Sequence, residues 1–400
     1  MTISVRGGHS VAMTSERSEL APGSTASLRA ANQRRVLDAL RASTDGDAAT
    51  VFTQAELARV TGLARATVSN IVRDLGQAGL VETEAGSGRR GSAVRLSPGA
   101  GVVAGVDFGH SHLAVAIGDL TGRVLAEERR AIPPELAHEE ALALAVAMTT
   151  RLRPAGSTLR HVGLGLPAPV TDGVVQSAAI FPGWRSVDAR SVGAEAFGSP
   201  VDVENDANLG ALAEHRIGVG RGADSSVFVK ISSGVGAGII LRNELFQGTA
   251  GSAGEIGHLT FDEQGPLCRC GSRGCLETYT SVQAVQGLLA SQLPGASLDE
   301  IIATAETGDV SARRALEDAG LHLGWGLAAV VNLMNPSVVV IGGDMARAGE
   351  LLLESVRIGL RRHALDTLAL TPVVSSRLGE RASLLGAVLL AAERTELLVD

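Results

Sequence analysis

The stretch Gly254-Glu255-Ile256-Gly257-His258, continued by Cys268-Arg269-Cys270-Gly271-Ser272-Arg273-Gly274-Cys275-Leu276-Glu277, holds all three cysteines of the 400-residue chain, within eight positions. A histidine stands ten residues ahead of the first of them. Three thiolates and one imidazole fill the four positions of a tetrahedral zinc ion and leave none for a catalytic water. The spacing therefore points to a closed, structural zinc site of His258, Cys268, Cys270 and Cys275. The alternative is a redox pair with a spare thiol; an intracellular chain has little use for a structural disulfide here. Such a zinc would tie a loop so that Glu255 and Glu277 are held rigidly, as support for a binding site.

Upstream, several turns carry further polar groups. Ser232-Ser233-Gly234-Val235-Gly236-Ala237-Gly238 follows the strand SVFVKI as a Gly-rich turn able to bend around phosphates. Glu204-Asn205-Asp206-Ala207-Asn208 follows the apolar VDV and opens the helix LGALAEHRI. An Asp at such a junction can be held ionised near helix N-terminal amides and can accept a hydroxyl proton. Gly163-Leu164-Gly165-Leu166-Pro167 is expected to end a strand in a second Gly-rich turn. Further back, Asp107-Phe108-Gly109 links GVVAGV to LAVAIGDL, with another strand expected from about Arg123. A strand, an Asp-x-Gly turn and an antiparallel strand is how an actin-like, sugar-kinase fold opens, the Gly allowing backbone to approach a phosphate. Any one of these is compatible with a plain α/β turn; their order together is what points to that fold.

The intervening segments supply helices. ELAHEEALALAVAMTTRL reads as a long helix on the first lobe, and SARRALEDAGLHLGWGLAAVVNLMNP as another, followed by the buried strand SVVVIGG. The last helix, RASLLGAVLLAAERTELL, is expected to pack back on the first lobe. Trp184 either stacks on a ligand or packs between lobes. His110 and His112, two apart, have the spacing of a metal pair but no evident third ligand, so a turn is the simpler reading.

The first hundred residues read differently. SLRAANQRRVLDALRAS is amphipathic, with Val36, Leu37 and Leu40 on one face. Thr53 offers an N-cap and Glu56 completes a capping box before a short helix, with Leu57 and Val60 turned inward. Gly62 breaks that helix, and a second one carries the apolar stripe Val68, Ile71, Val72, Leu75. This is the helix-turn-helix pattern. It leaves Arg65, Thr67, Ser69, Asn70 and Arg73 outward, where such side chains reach base edges and phosphates in a major groove. LVETEAGSGRRGSAVRLSP then reads as a β-wing whose Arg89 and Arg90 would grip phosphates or a narrow minor groove. The competing reading is a three-helix dimerisation domain with ordinary surface arginines.

Bulk properties set the frame. Hydrophobic residues make up 45% of the chain and mean hydropathy is +0.21, ample for a core. The 49 glycines and 2% aromatics suit an α/β protein with many turns. The net charge of −8 is uneven: about +3 over residues 1–100 and about −11 beyond, a mildly basic head on an acidic body. No apolar run reaches the roughly 18 residues of a membrane span. Residues 1–26 lack the apolar core of a signal peptide and read as a flexible arm. A cytoplasmic protein is expected.

With these residues in view, the chain resembles the ROK family (repressors, open reading frames and kinases) over nearly its whole length, most specifically in Glu255-Ile-Gly-His258 and the Cys-x-Cys-Gly-x-x-Gly-Cys-Leu-Glu run. The winged helix resembles that of the regulator members. The resemblance implies a winged helix-turn-helix followed by a two-lobed, actin-like sugar-kinase fold with ribonuclease H-like lobes. The boundaries expected are an arm over 1–26, the winged helix over 27–97 and the sensor over 101–400. Within the sensor, lobe 1 would span about 101–220 plus a C-terminal helix over about 381–397, and lobe 2 about 221–380. By motif match, Asn205, Asp206, Glu255, His258 and Glu277 would contact a sugar or sugar phosphate, Asp206 being the general base of a kinase member. His258 would place one ring nitrogen on zinc and the other toward the sugar.

The departures lie on the nucleotide side. Where family kinases read Asp-x-Gly-Gly-Thr-Lys, this chain has Asp107-Phe108-Gly109-His110-Ser111-His112. His110 would crowd a phosphate, and His112 replaces a permanent cation. The second loop reads Ser232-Ser233-Gly234 in place of Gly-Thr-Gly, and Gly342-Gly343-Asp344 has an Asp where a third Gly is common. Losing one phosphate loop's backbone approach can cost on the order of a thousandfold in affinity. Asp107, Gly109, Ser233, Gly234, Gly236, Gly342 and Gly343 thus read as a vestigial nucleotide site, without ATP or magnesium. The expectation is a DNA-binding repressor of carbohydrate metabolism, a homodimer or homotetramer on a double-stranded operator. The alternatives are an active ATP-dependent sugar kinase with an appended DNA-binding domain, and a regulator that answers to a protein partner.

Overall fold

The computed structural model describes residues 25–41, 51–84, 92–134, 136–176 and 182–397. The backbone divides into two units, one carrying the chain up to Ser97 and the other spanning Pro98–Thr395.

The first unit contains α1 (Thr25–Arg41), β1 (Phe52–Thr53), α2 (Gln54–Thr61), α3 (Arg65–Gln77), β2 (Val81–Glu84) and β3 (Ala93–Leu96). Thr53 caps α2 in a full capping box with Glu56, and Gly62 closes the helix at φ 69°. Between them the turn into α3 is fixed locally. Val68, Ile71, Val72 and Leu75 of α3 are buried with Val36, Leu37 and Leu40 of α1. Antiparallel β2 and β3 form the wing, and β1 adds a third strand beside β3. One expectation fails: Val60 is 53% exposed, while Leu57, Ala58 and Thr61 are buried. At 100° per residue the buried face centres near Thr61, which leaves Val60 on its flank. The wing tip with Arg89 and Arg90, and the arm before Thr25, lie outside the described residues.

The second unit is built on two five-stranded sheets of one design. In the first lobe β4 (Val102–Phe108), β5 (His112–Gly118) and β6 (Val124–Ala131) form an antiparallel meander. After α4 (His138–Leu152), β7 (Leu159–Leu166) pairs parallel to β4. A hairpin of β8 (Val170–Thr171) and β9 (Val174–Val175) and then α5 (Ala189–Phe197) lead to β10 (Val201–Asn205), parallel to β7, and to α6 (Asp206–Arg216). The second lobe repeats the plan with β11 (Ser225–Ile231), β12 (Val235–Leu241) and β13 (Glu244–Leu245) as meander. Helices α7 (Glu277–Thr280), α8 (Val282–Leu288), α9 (Leu298–Glu306) and α10 (Val310–Met334) follow. Then β14 (Val338–Gly342), α11 (Glu350–His363) and β15 (Val373–Ser375) complete the sheet, both strands parallel. The strand orders, β10-β7-β4-β5-β6 and β15-β14-β11-β12-β13, are the same topology twice.

The closing helix α12 (Ala382–Arg394) packs on α6, β4 and β7, returning the chain to the first lobe. Glycine permits this. A Cβ on Gly163 would run into the Ala387 carbonyl, and one on Gly386 into the Leu209 carbonyl. Gly163 and Gly165 were expected in a turn; both lie inside β7, where their missing side chains admit α12 and Leu209. Trp184 was expected to stack on a ligand or between lobes. It is instead fully buried in the first lobe's own core, its ring 5.0 Å from that of Phe108. Residues 179–181 of the loop before it lie outside the described residues. Among the described residues no helix is long and apolar enough to cross a membrane.

Candidate functional site

The ends of β4, β7, β10, β11 and β12 surround a cavity between the two sheets. Its walls include Asp107, Gly109, Asn205, Asp206, Ser233, Gly234, Gly236, Glu255, His258, Glu277 and Gly343. Residues singled out across 237 positions of sequence, from Asp107 to Gly343, thus meet in one place. Gly342 is not among these walls; a Cβ there would strike the Phe228 ring.

At the β10–α6 junction the side chain of Asn205 caps the helix. Its Oδ1 accepts from the amides of Ala207 and Asn208 at 2.9 and 3.3 Å, and Nδ2 donates to the Ala168 carbonyl at 3.2 Å. Asp206, the first helical residue, is 8% exposed and accepts from Lys230 Nζ at 2.7 Å. Although burial opposes its charge, the carboxylates of Asp206 and Asp107 raise the Lys230 pKa above its ordinary value. Sequence reading passed over Lys230. The available signal was a lone lysine inside the otherwise apolar strand SVFVKI.

On the facing wall Glu277 accepts the Val235 amide at 3.0 Å and both arms of Arg269, Nε to Oε1 at 2.7 Å and Nη2 to Oε2 at 2.8 Å. Arg269 was likewise not anticipated as a site residue. Glu255 lies beside it; burial first, then the charges of Asp206 and Glu277, push its carboxyl up to about 7. His258 turns Nδ1 toward Cys268 Sγ at 3.7 Å and Nε2 toward Glu255 Oε2 at 3.9 Å. Cys270 and Cys275 bring their sulfurs to 3.8 Å, and one ligand atom from each of the four residues lies within 4.8 Å of the others. A tetrahedral ion with Zn–S bonds of about 2.3 Å spaces its ligand atoms by about 3.7 Å, so this cluster fits a metal ion. Burial, more than the neighbouring thiols, drives Cys268 up to about 12, so a cation is what would make that thiol a thiolate at neutral pH.

The loop after β4 differs in character. The His112 ring folds back over Gly109, where a Cβ would strike it, and its Nε2 meets Asp107 Oδ2 at 3.1 Å. Although burial opposes ionisation, His112 and Lys230 hold Asp107 below the usual carboxylate range. Burial and then the Arg269 charge lower the pKa of His110, which favours its neutral form. One imidazole thus lies against Gly109, and a second, whose neutral form is favoured, lines the cavity next to it. In the second loop Ser232 Oγ accepts the Asp344 amide at 3.1 Å, tying this loop to the one after β14.

In the winged unit Arg65, Ser69, Asn70 and Arg73 are exposed along α3, and Thr67 is half-buried. Asp74 on the same helix is engaged by Arg29 at 2.6 Å.

Comparison with known proteins agrees with this architecture. Residues 103–394 match the ROK family and residues 29–91 match the MarR family. The xylose repressor of Bacillus spizizenii is 30% identical over 345 residues, covering 84% of this chain and 89% of the repressor. A solved ROK family transcriptional regulator, described as a homologue of the Escherichia coli MLC protein, superposes with TM-score 0.74 at 28% identity, covering 91% of this chain and 96% of that one. A ROK family glucokinase from Streptomyces griseus, solved with glucose and AMPPNP, superposes with TM-score 0.64 at 31% identity over 73% of this chain and all of that one.

Proposed function

Since the chain belongs to the ROK family and carries a MarR-type winged helix ahead of its ROK domain, we propose that it is a sugar-responsive DNA-binding repressor without kinase activity. The observation that carries this reading is the asymmetry of the cleft. Asn205, Asp206, Glu255, His258 and Glu277 converge on one cavity, while the adjoining phosphate loop is filled by the ring of His112. A polyol is recognised by carboxylates and amides held rigidly, and this wall is braced by Arg269 and by the cysteine loop. A bound nucleotide needs open backbone amides and a cation, which the loop at Asp107 does not offer.

His258, Cys268, Cys270 and Cys275 would hold zinc in a closed, structural site. The metal would fix the loop from which Glu255 and Glu277 project, and its ligation through Nδ1 would leave His258 Nε2 to the ligand. The winged unit, taken as residues 27–97, would read DNA with Arg65, Thr67, Ser69, Asn70 and Arg73 of α3, and grip phosphates with Arg89 and Arg90. The sensor would span residues 101–400. A two-fold homodimer, or a homotetramer made of two such dimers, would match a palindromic operator.

Thermal unfolding of zinc-loaded protein with xylose, glucose, N-acetylglucosamine, their phosphates, and ATP with magnesium tests the reading. A ligand specific to the native state raises its melting temperature by mass action. One sugar or sugar phosphate should raise Tm and alter binding to DNA selected from a random pool, and ATP should do neither. Asp206→Asn and Glu255→Ala should lose the sugar response yet still bind that DNA. The likeness to the Streptomyces griseus glucokinase supports a second reading, an active sugar kinase. ATP-dependent phosphorylation abolished by Asp206→Asn would establish that one instead.

A further inference from the structure

Lys230 belongs to the second lobe, yet its ammonium sits among groups of the first. Successive side chains of a strand alternate between faces, so Lys230 shares a face of β11 with Phe228. Phe228 packs against Ala211 of α6 and Ala382 of α12. Lys230 Nζ donates to Asp206 Oδ2 at 2.7 Å and to Ser383 Oγ at 3.3 Å, and Ser383 donates onward to the Asp206 carbonyl at 2.8 Å. One side chain of β11 is thereby joined to the N-terminus of α6 and to the closing helix α12. The joint is made at Asp206, an acid of the proposed sugar site.

We propose that Lys230 is a positioning residue that links the two lobes to the ligand: by fixing Asp206 it makes occupancy of the cleft and the arrangement of the lobes one equilibrium. This rests on the sugar-sensing reading of the cavity. A carboxylate accepts through two oxygens; Lys230 takes Oδ2 and leaves Oδ1, already oriented, for a ligand hydroxyl. When the lobes part, Lys230 leaves Asp206, and the carboxylate loses both its orientation and its counter-charge. A ligand that binds Asp206 therefore binds the two arrangements unequally, which is what any switch requires. Asp107 adds to the tie. It is 1% exposed, its Oδ1 has no hydrogen-bond partner among the described residues, and its negative charge acts on Lys230. Without the ammonium, Asp206 would lose its counter-charge and Asp107 would keep only the His112 ring on its other oxygen.

The test uses the full-length protein as wild type, Lys230→Met and Lys230→Arg, with xylose, glucose and N-acetylglucosamine as probes. Hydrogen–deuterium exchange without ligand is the first readout. Lys230→Met should speed exchange of amides on both sides of the cleft, at residues 207–210 and 232–236, leaving the cores of both sheets protected. Lys230→Arg should restore protection at least in part. The second readout is the sugar concentration for half-maximal change in DNA binding. It should rise by at least about tenfold in Lys230→Met, the worth of one charge-assisted hydrogen bond, and recover in Lys230→Arg. Equal exchange and an equal sugar response in Lys230→Met and wild type would overturn the proposal. A wild-type chain that answers to none of the probes, while Lys230→Met still loosens the cleft, would instead remove the sugar reading and the ligand half of this inference with it. Urea unfolding of each variant identifies a general loss of fold; if Lys230→Met fails to fold, Ser383→Ala, which removes the α12 arm of the joint, carries the test and should shift both readouts in the same direction.

Discussion

Arg269 and Glu277 face each other across the cysteine loop with two parallel hydrogen bonds, 2.7 and 2.8 Å long, and the Arg269 guanidinium reaches on to the Ser233 carbonyl at 3.2 Å. Arg269 stands between Cys268 and Cys270, so the loop that gathers the thiols also aims the carboxylate. Arg269→Ala removes a bidentate partner from a carboxylate whose side chain is 9% exposed. It is expected to cost about 2 kcal/mol in urea unfolding. Arg269→Lys keeps the charge but not the fork, and should recover only part of that.

The cysteine loop gives a separate prediction. Gly271 at φ 93° and Gly274 at φ 59° shape the turn between the thiols, and a Cβ at Gly274 would strike the Asp262 carbonyl. The loop is thus tightly constrained, and its remaining stability is expected from the metal. Purified protein should carry about one zinc per chain by elemental analysis, lost in Cys275→Ser and on chelation. Loss of the ion should expose residues 259–275 to proteolysis before either sheet, because those residues hold one another mainly through turns.

Much of this molecule is legible in sequence where the determining forces are local. The Thr53–Glu56 capping box and Gly62 fix the helix-turn-helix within ten residues. Asp107 and Asp206 could be placed at strand ends because an apolar run stops there. What escaped depends on partners remote in sequence. Lys230 has meaning only beside Asp206 and Ser383, 24 and 153 residues away. Gly163 and Gly165 looked like turn formers, since nothing nearby announces that α12 will lie across them. Trp184 was misplaced for the same reason, since aromatic character does not say which neighbour arrives; Val60 was misplaced locally, on the flank of a face centred near Thr61.

Glu255 makes stability depend on pH with a definite sign. Its pKa moves from 4.5 to about 7 in the folded chain, mainly through burial. Between those values the native state holds a proton that the unfolded chain has released, so stability falls as pH rises through this window. Glu255→Gln cannot ionise and should escape that loss. The Tm of Glu255→Gln minus that of wild type should therefore grow from pH 5 to pH 7 and level off above it. Zinc loss at low pH acts on both proteins and cancels in the difference. A gap that is constant with pH would mean that Glu255 titrates as an ordinary carboxyl.

Gly386 tests the packing that closes the first lobe. It lies in α12 where that helix crosses α6, and a Cβ there would meet the Leu209 carbonyl of α6 at less than contact distance. Alanine is ordinarily the better helix former by about 1 kcal/mol, so propensity alone predicts that Gly386→Ala stabilises. Sterics predict the reverse, because both partners are backbone and neither can rotate away; overpacking of this kind costs about 3 kcal/mol. The close approach should win, leaving Gly386→Ala destabilised by about 2 kcal/mol in urea unfolding. A solvent-facing control, Gly287→Ala in α8, where a Cβ meets nothing within 4 Å, should instead gain stability. Because α6 begins at Asp206, a displaced α12 would also shift Ser383 away from the Asp206 carbonyl. Gly386→Ala should therefore weaken the sugar response as well as the fold, and Gly287→Ala should leave that response as it is.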